Sequence, residues 1–253
     1  MTTTTSTIDA VWHTLVAESS GERFDPGTLD ALPAPARRYL LRAIAPDTPL
    51  AASVELRMRG SIRLSRSSPW LPMLASQIIN ERSGFLWRAT IGALLPFVGF
   101  DRYSDGDGEM CWRLAGVIPI VHAQGPDITR SARERYAGEL VFLPAALLPR
   151  TGVVWSASDA SSACATLDLD GAPIALHLQV SPGGHLSRVQ IDRWSNLDAP
   201  DGRWRPRPFV VQCSGEQQFG GYTVPAQIAA GWWRDDEWLF EFFRAELLDA
   251  VYR

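Results

Sequence analysis

Ser53-Val-Glu-Leu-Arg-Met-Arg-Gly-Ser-Ile-Arg-Leu64 decides the fold. Val54, Leu56, Met58, Gly60, Ile62 and Leu64 alternate with Glu55, Arg57, Arg59, Ser61 and Arg63. Successive side chains of a strand point to opposite faces. A period of two over this length therefore predicts a long antiparallel strand with one apolar and one polar face.

Downstream, strand-like stretches recur at 76–81, 85–91, 97–103, 109–114 and 117–122. They resume at 153–158, 163–169, 174–180, 185–194, 209–218 and 223–234. Asp105-Gly-Asp-Gly108, Pro182-Gly-Gly184 and Gly220-Gly221 separate them as turn signals. One helix interrupts the series at 128–143, with Ile128, Ala132, Tyr136 and Leu140 on one face and Pro144 at its exit. The last piece, 238–251, reads as a strand after the turn Arg234-Asp-Asp-Glu237, although Trp238, Phe242 and Ala245 also fit helical spacing.

Upstream, residues 1–50 read as a helical segment packed on the sheet. Ile8, Val11, Trp12 and Leu15 recur at helical spacing, and a second helix opens at Leu32-Pro-Ala-Pro35. The stretch 196–208, rich in Pro, Asp and Arg, reads as a surface loop. The whole is mainly β, an α+β chain. Residues 51–253 form one strongly curved antiparallel sheet or half-barrel of about ten strands, because sheets of that size rarely stay flat and open. The N-terminal helices and the middle helix pack on it.

Composition excludes several chemistries. The chain has no lysine, and all 24 basic side chains are arginine. Schiff bases, a pyridoxal-phosphate anchor and a phosphate-loop lysine are therefore ruled out. A net charge of −4 with scattered arginines argues against nucleic-acid binding. The longest apolar run, 91–100, is broken by Gly92, Pro96 and Gly99, short of the ~20 residues of a membrane span, so stable membrane insertion is not expected. Cys111, Cys164 and Cys213 are widely spaced and read as free thiols in a reducing cytoplasm. His13, His122, His177 and His185 lack metal-ligand spacing, and no Gly-x-Gly-x-x-Gly or Gly-x-Ser-x-Gly occurs. No metal and no cofactor are expected. A free edge strand leaves a homodimer open.

A set of landmarks runs through the chain from residue 32. It includes Leu32-Pro-Ala-Pro-Ala-Arg-Arg-Tyr39, Trp70-Leu-Pro72, Phe85-Leu-Trp87 and Asp101-Arg-Tyr-Ser-Asp-Gly-Asp-Gly-Glu-Met110. It continues with Arg135-Tyr-Ala-Gly-Glu139, Val153-Val-Trp155, Arg193-Trp194, Gly220-Gly-Tyr-Thr-Val-Pro225 and Trp232. These resemble an uncharacterised bacterial family of Trp-rich β proteins, a domain of unknown function, which implies no activity. The element order is also similar to the open half-barrels that carry lipids or lipoproteins, a likeness of fold.

The remaining chemistry is aromatic and acidic. Trp87, Trp112, Trp155, Trp194, Tyr222 and Trp232 fall on separate strands or strand ends and, with Asp101, are candidates to line a concave face. A packed aromatic core under the helices is the alternative account. Glu139 is the candidate general acid or base, or else simply the ion-pair partner of Arg135 one helical turn back. Gly138 beside it suggests close packing of helix on sheet. Tyr103 and Arg193 are candidates to polarise or orient a carbonyl or carboxylate, and His122 is the histidine candidate for acid–base work. These residues predict an aromatic-lined cavity for a bulky apolar small molecule. They fit a cofactor-independent cyclase or isomerase of a polyketide or terpenoid type. A non-catalytic carrier of a lipid or other hydrophobic ligand is the alternative.

Overall fold

The computed structural model describes residues 2–253, and side chains from residue 8 onward. Thirteen strands form one antiparallel sheet. They are β1 (Ser53–Ile62), β2 (Leu71–Asn80), β3 (Gly84–Ile91), β4 (Phe97–Ser104), β5 (Asp107–Leu114), β6 (Ile118–Gln124) and β7 (Val154–Ala157). After these come β8 (Ser162–Leu169), β9 (Ala172–Val180), β10 (Leu186–Ser195), β11 (Arg205–Phe219), β12 (Tyr222–Arg234) and β13 (Glu237–Tyr252). The helices are α1 (Thr2–Leu15), α2 (Ala34–Ala43) and α3 (Pro126–Glu139). Short 3₁₀ turns at Leu140–Phe142 and Pro144–Leu147 extend the exit of α3.

The spatial order is β6-β5-β4-β3-β2-β1-β13-β12-β11-β10-β9-β8-β7. Strand β1, the alternating stretch, sits near the middle and pairs with β13 at the end of the chain. The strand count exceeds the expected total of about ten, although each of the thirteen strands overlaps a stretch that reads as strand-like in the sequence. Asp105-Gly106 and Asp170-Gly171 each have two consecutive positive φ angles, the geometry of a two-residue hairpin turn. Asp235-Asp236 turns the same way, so 238–251 is strand rather than helix.

The sheet curls. Helix α3 touches β4, β5 and β6 on one wing and β8, β9 and β10 on the other. Strands β5 and β10 lie eight positions apart in the sheet order. Flat, that is roughly 38 Å at about 4.8 Å per strand, far more than the ~10–12 Å width of a helix. The two wings therefore close over α3. The Tyr103 hydroxyl on β4 also meets the Asp170 carboxylate in the β8–β9 turn. The sheet does not close into a barrel, and β6 and β7 remain its free edges.

The two N-terminal helices take opposite sides. Helix α1 packs on the outer face, where Ile8 and Leu15 cover Ile78, Leu86 and Phe100. Arg88 anchors it, with Nη1 2.8 Å from Asp9 Oδ1 and its guanidinium stacked over Trp12. Helix α2 belongs to the main core on the inner side, through Ala36, Tyr39, Leu40 and Ala43.

Candidate functional site

Inward parity on the curled sheet gathers apolar side chains beneath α3. Trp87 on β3, Trp112 on β5, Phe209 on β11, Trp232 on β12 and Phe243 on β13 line a hollow of about 470 Å³. That volume falls within the ~300–1,000 Å³ typical of small-molecule sites. Trp87 packs against both Trp112 and Phe243, with ring centroids 5.6 and 6.1 Å apart. Phe209 meets Trp232 edge-on at 5.3 Å. Larger depressions of about 700 and 940 Å³ lie on the outer face among Arg57, Arg88, Arg188 and Arg244. Their arginine-lined walls make them poorer hosts for an apolar molecule.

One end of the hollow reaches the hairpin tips. Antiparallel pairing places the β1–β2, β3–β4 and β5–β6 connections at the same end of the sheet. Leu64, Ile120 and Val121 line the hollow there and are also exposed. Leu94, Leu95, Val117 and Ile118 extend this exposed apolar rim, with Leu94 97% accessible.

Polar groups cluster where α3 ends over the sheet. Glu139 accepts from Arg135 Nε at 2.8 Å on Oε1 and from Gln77 Nε2 at 2.5 Å on Oε2. Arg135 also donates through Nη1 to Asp101 Oδ2 at 2.6 Å. The other Asp101 oxygen accepts from Trp112 Nε1 at 2.9 Å. The Arg135 guanidinium lies over the rings of Phe85 and Trp87. Burial disfavours its charge, yet Glu139 and Asp101 outweigh that and raise its pKa.

Arg193 stands nearby on β10 and is different. Its Nε donates to the Ser131 carbonyl at 3.2 Å, and its guanidinium faces the rings of Phe209 and Trp232. Burial, then repulsion from Arg135, lowers its pKa to about 10, so it remains charged at neutral pH.

Thus Glu139, Arg193, Asp101, Trp87, Trp112 and Trp232 come together at one hollow. The other candidates do not line it. Tyr103 lies beside it, bonded to Asp170 and stacked on Tyr136; burial and then Asp170 push its hydroxyl pKa well up. His122 is on edge strand β6, exposed, with Nε2 3.1 Å from Glu109 Oε1. Trp194 fastens the start of α3, donating through Nε1 to Asp127 at 2.7 Å beneath Arg130. Trp155 donates to the Leu147 carbonyl at 2.9 Å and packs near Tyr39. Tyr222 accepts from Ala51 N and donates to the Pro49 carbonyl, both at 2.8 Å.

Gly138 is not the point of tightest contact, since a Cβ there would meet only Ile191 Cδ1 at 3.4 Å. The close approach is at Gly108 on β5, where a Cβ would lie 2.6 Å from Thr129 Cα of α3. Sequence reading missed Gln77 and Phe209. Gln77 carries a signal, because a buried amide next to Ile78 and Ile79 needs a partner. Phe209 follows a proline-rich loop and has no such marker.

The fold and site define a mainly β protein, an open curled sheet whose wings shelter an apolar hollow under one helix. Residues 22–245 match the family of unknown function DUF6544, and the chain belongs to that family. No curated protein matches. A LolA superfamily protein from Nitrosomonas europaea is similar in structure, with 10% identity and a TM-score of 0.45 over 88% of this chain and 94% of that one. A DUF1329 family protein from Desulfovibrio piger is similar at 10% identity and a TM-score of 0.41, over 80% of this chain and 86% of that one. Among the described residues no helix is long and apolar enough to cross a membrane.

Proposed function

We propose that the chain is a non-catalytic binding protein, or carrier, for an apolar small molecule held between the sheet and α3. The observation that carries this reading is the aromatic hollow of about 470 Å³ reaching an apolar rim at the hairpin tips. Buried apolar surface supplies the affinity, at about 25 cal/mol per Å² of ligand and wall removed from water. The exposed apolar rim offers such a ligand an apolar approach to the hollow.

A cyclase or isomerase acting through Glu139 is the weaker reading. Both carboxylate oxygens of Glu139 are already engaged, by Arg135 and by Gln77. A general base must reach the proton it abstracts. Tyr103 and His122, the other acid–base candidates, do not line the hollow.

The test is binding of N-phenyl-1-naphthylamine, a neutral fluorophore that brightens in apolar surroundings. Saturable enhancement in the parent protein is expected, with loss in Ala230→Phe, which places a ring into the hollow from β12. Equal enhancement in a folded Ala230→Phe variant would move the site elsewhere.

A further inference from the structure

Three basic side chains line the hollow, and the acids beside them serve only two: Arg102 pairs with Glu109 at 2.9 Å. Arg135 holds both Glu139 and Asp101. Arg193 forms no ion pair among the described residues, and its single bond is Nε to the Ser131 carbonyl. Its Nη1 and Nη2 donate to no protein group there, and neither is sealed from solvent-sized space. The side chain lines the hollow and is only partly buried. Trp87 Nε1, in the wall of the same hollow, is buried without any acceptor.

A charged guanidinium against the faces of Phe209 and Trp232 is costly without an anion, because ring faces compensate only part of the lost hydration. Its two terminal nitrogens present parallel donors, the fork that matches a carboxylate. Asp101 and Glu139 are close enough to act on Arg193 electrostatically. They would repel a second negative charge, so a monoanion suits the place better than a phosphate dianion.

We propose that the ligand is an apolar molecule bearing one carboxylate, with Arg193 receiving that carboxylate while the aromatic walls hold the hydrocarbon. This rests on the binding-protein reading above and adds the chemistry of the ligand's polar end. Arg193 then acts as a specificity residue, selecting acids over neutral molecules of equal apolar size.

The experiment displaces N-phenyl-1-naphthylamine from delipidated full-length protein with oleate and, separately, with oleyl alcohol. A charge-assisted bidentate contact predicts that oleate competes at least ~10-fold better than the alcohol. Arg193→Met is expected to remove that preference and keep the alcohol's affinity. Equal competition by the two, or tighter binding of the alcohol, overturns the carboxylate proposal and leaves the apolar site standing. Failure of the fluorophore and both lipids to bind folded protein overturns the apolar site itself, and this proposal with it. Should Arg193→Met fail to fold, Arg193→Lys keeps the charge without the fork and is expected to lose at least ~3-fold of the preference. An unchanged preference in that folded variant also overturns the proposal.

Discussion

Arg135 on α3 reaches Asp101 on β4 through a 2.6 Å contact while holding Glu139 one turn along its own helix at 2.8 Å. One guanidinium therefore ties the helix to a wing of the sheet and neutralises two mostly buried acids. Removing it leaves both without their countercharge, with only Gln77 and Trp112, among the described residues, still donating to them. Arg135→Met is expected to lower unfolding stability by about 3–5 kcal/mol, the range for breaking a buried pair from one side. Glu139→Gln leaves Arg135 with Asp101 and is expected to cost about 1–3 kcal/mol. Urea denaturation of the two variants checks the order. Equal losses would mean that Asp101 gains little from Arg135.

The seat of α3 on β5 is set by Gly108, not by the glycine inside the helix. A methyl at 108 would stand 2.6 Å from Thr129 Cα and 2.9 Å from Ala132 Cβ, so helix and strand must part. Gly108→Ala is expected to cost about 1–3 kcal/mol, as overpacking does. Gly138→Ala has room against Ile191 and removes a flexible residue from a helix, so it should stabilise by about 0.4–1 kcal/mol. Thermal melts of the pair settle this, and a stabilised Gly108→Ala would show that α3 seats more loosely.

Much of this fold is legible in the sequence. The alternation across Ser53–Ile62 depends only on neighbours along the chain, and it correctly marks a strand of the central sheet. Asp105-Gly106 and Gly220-Gly221 are turn signals for the same local reason. The lining of the hollow is less legible, because parity fails wherever the ladder slips. Pairing shifts between Arg57 and Met58, between Ala230 and Gly231, and between Trp232 and Trp233. Counting alternate residues across such points assigns the wrong face. Trp155 and Trp194 are misread without any slip beside them, since both look like wall residues in sequence, yet they hold the Pro144–Leu147 turn and the start of α3. For Arg193 the sequence leaves open a carboxylate clamp and, as the plainer expectation, a structural salt bridge; that Asp101 and Glu139 are held by Arg135 instead is determined only by the folded chain.

The three thiols should react unequally. Burial pushes the Cys213 thiol up to about 12, so almost none is thiolate near pH 8, and little of it is accessible. Cys111 and Cys164 are partly accessible. In native buffer a disulfide reagent is expected to label two thiols quickly and the third only on unfolding. Three equal rates would place Cys213 on an opening segment of β11.

Asp159, in the loop before β8, carries a pH signature of its own. Its Oδ1 accepts from Ser161 N at 2.7 Å, Ser161 Oγ at 2.8 Å and Ser162 N at 2.9 Å, and its Oδ2 accepts from Ser162 Oγ at 2.7 Å. Hydrogen bonds from Ser162 and then Ser161 stabilise the ionised form and lower the pKa to about 2, against an ordinary 3.8. The folded value is the depressed one. The contribution of this carboxylate to stability is therefore present above the unfolded value and lost as pH falls from 3.8 through about 2. Carbon-detected NMR titration should find the Asp159 carboxyl still ionised at pH 3. In Ser162→Ala, which removes the largest single cause, its midpoint should move toward 3.8. An unmoved midpoint would mean that the Ser161 and backbone donors alone hold the carboxylate ionised.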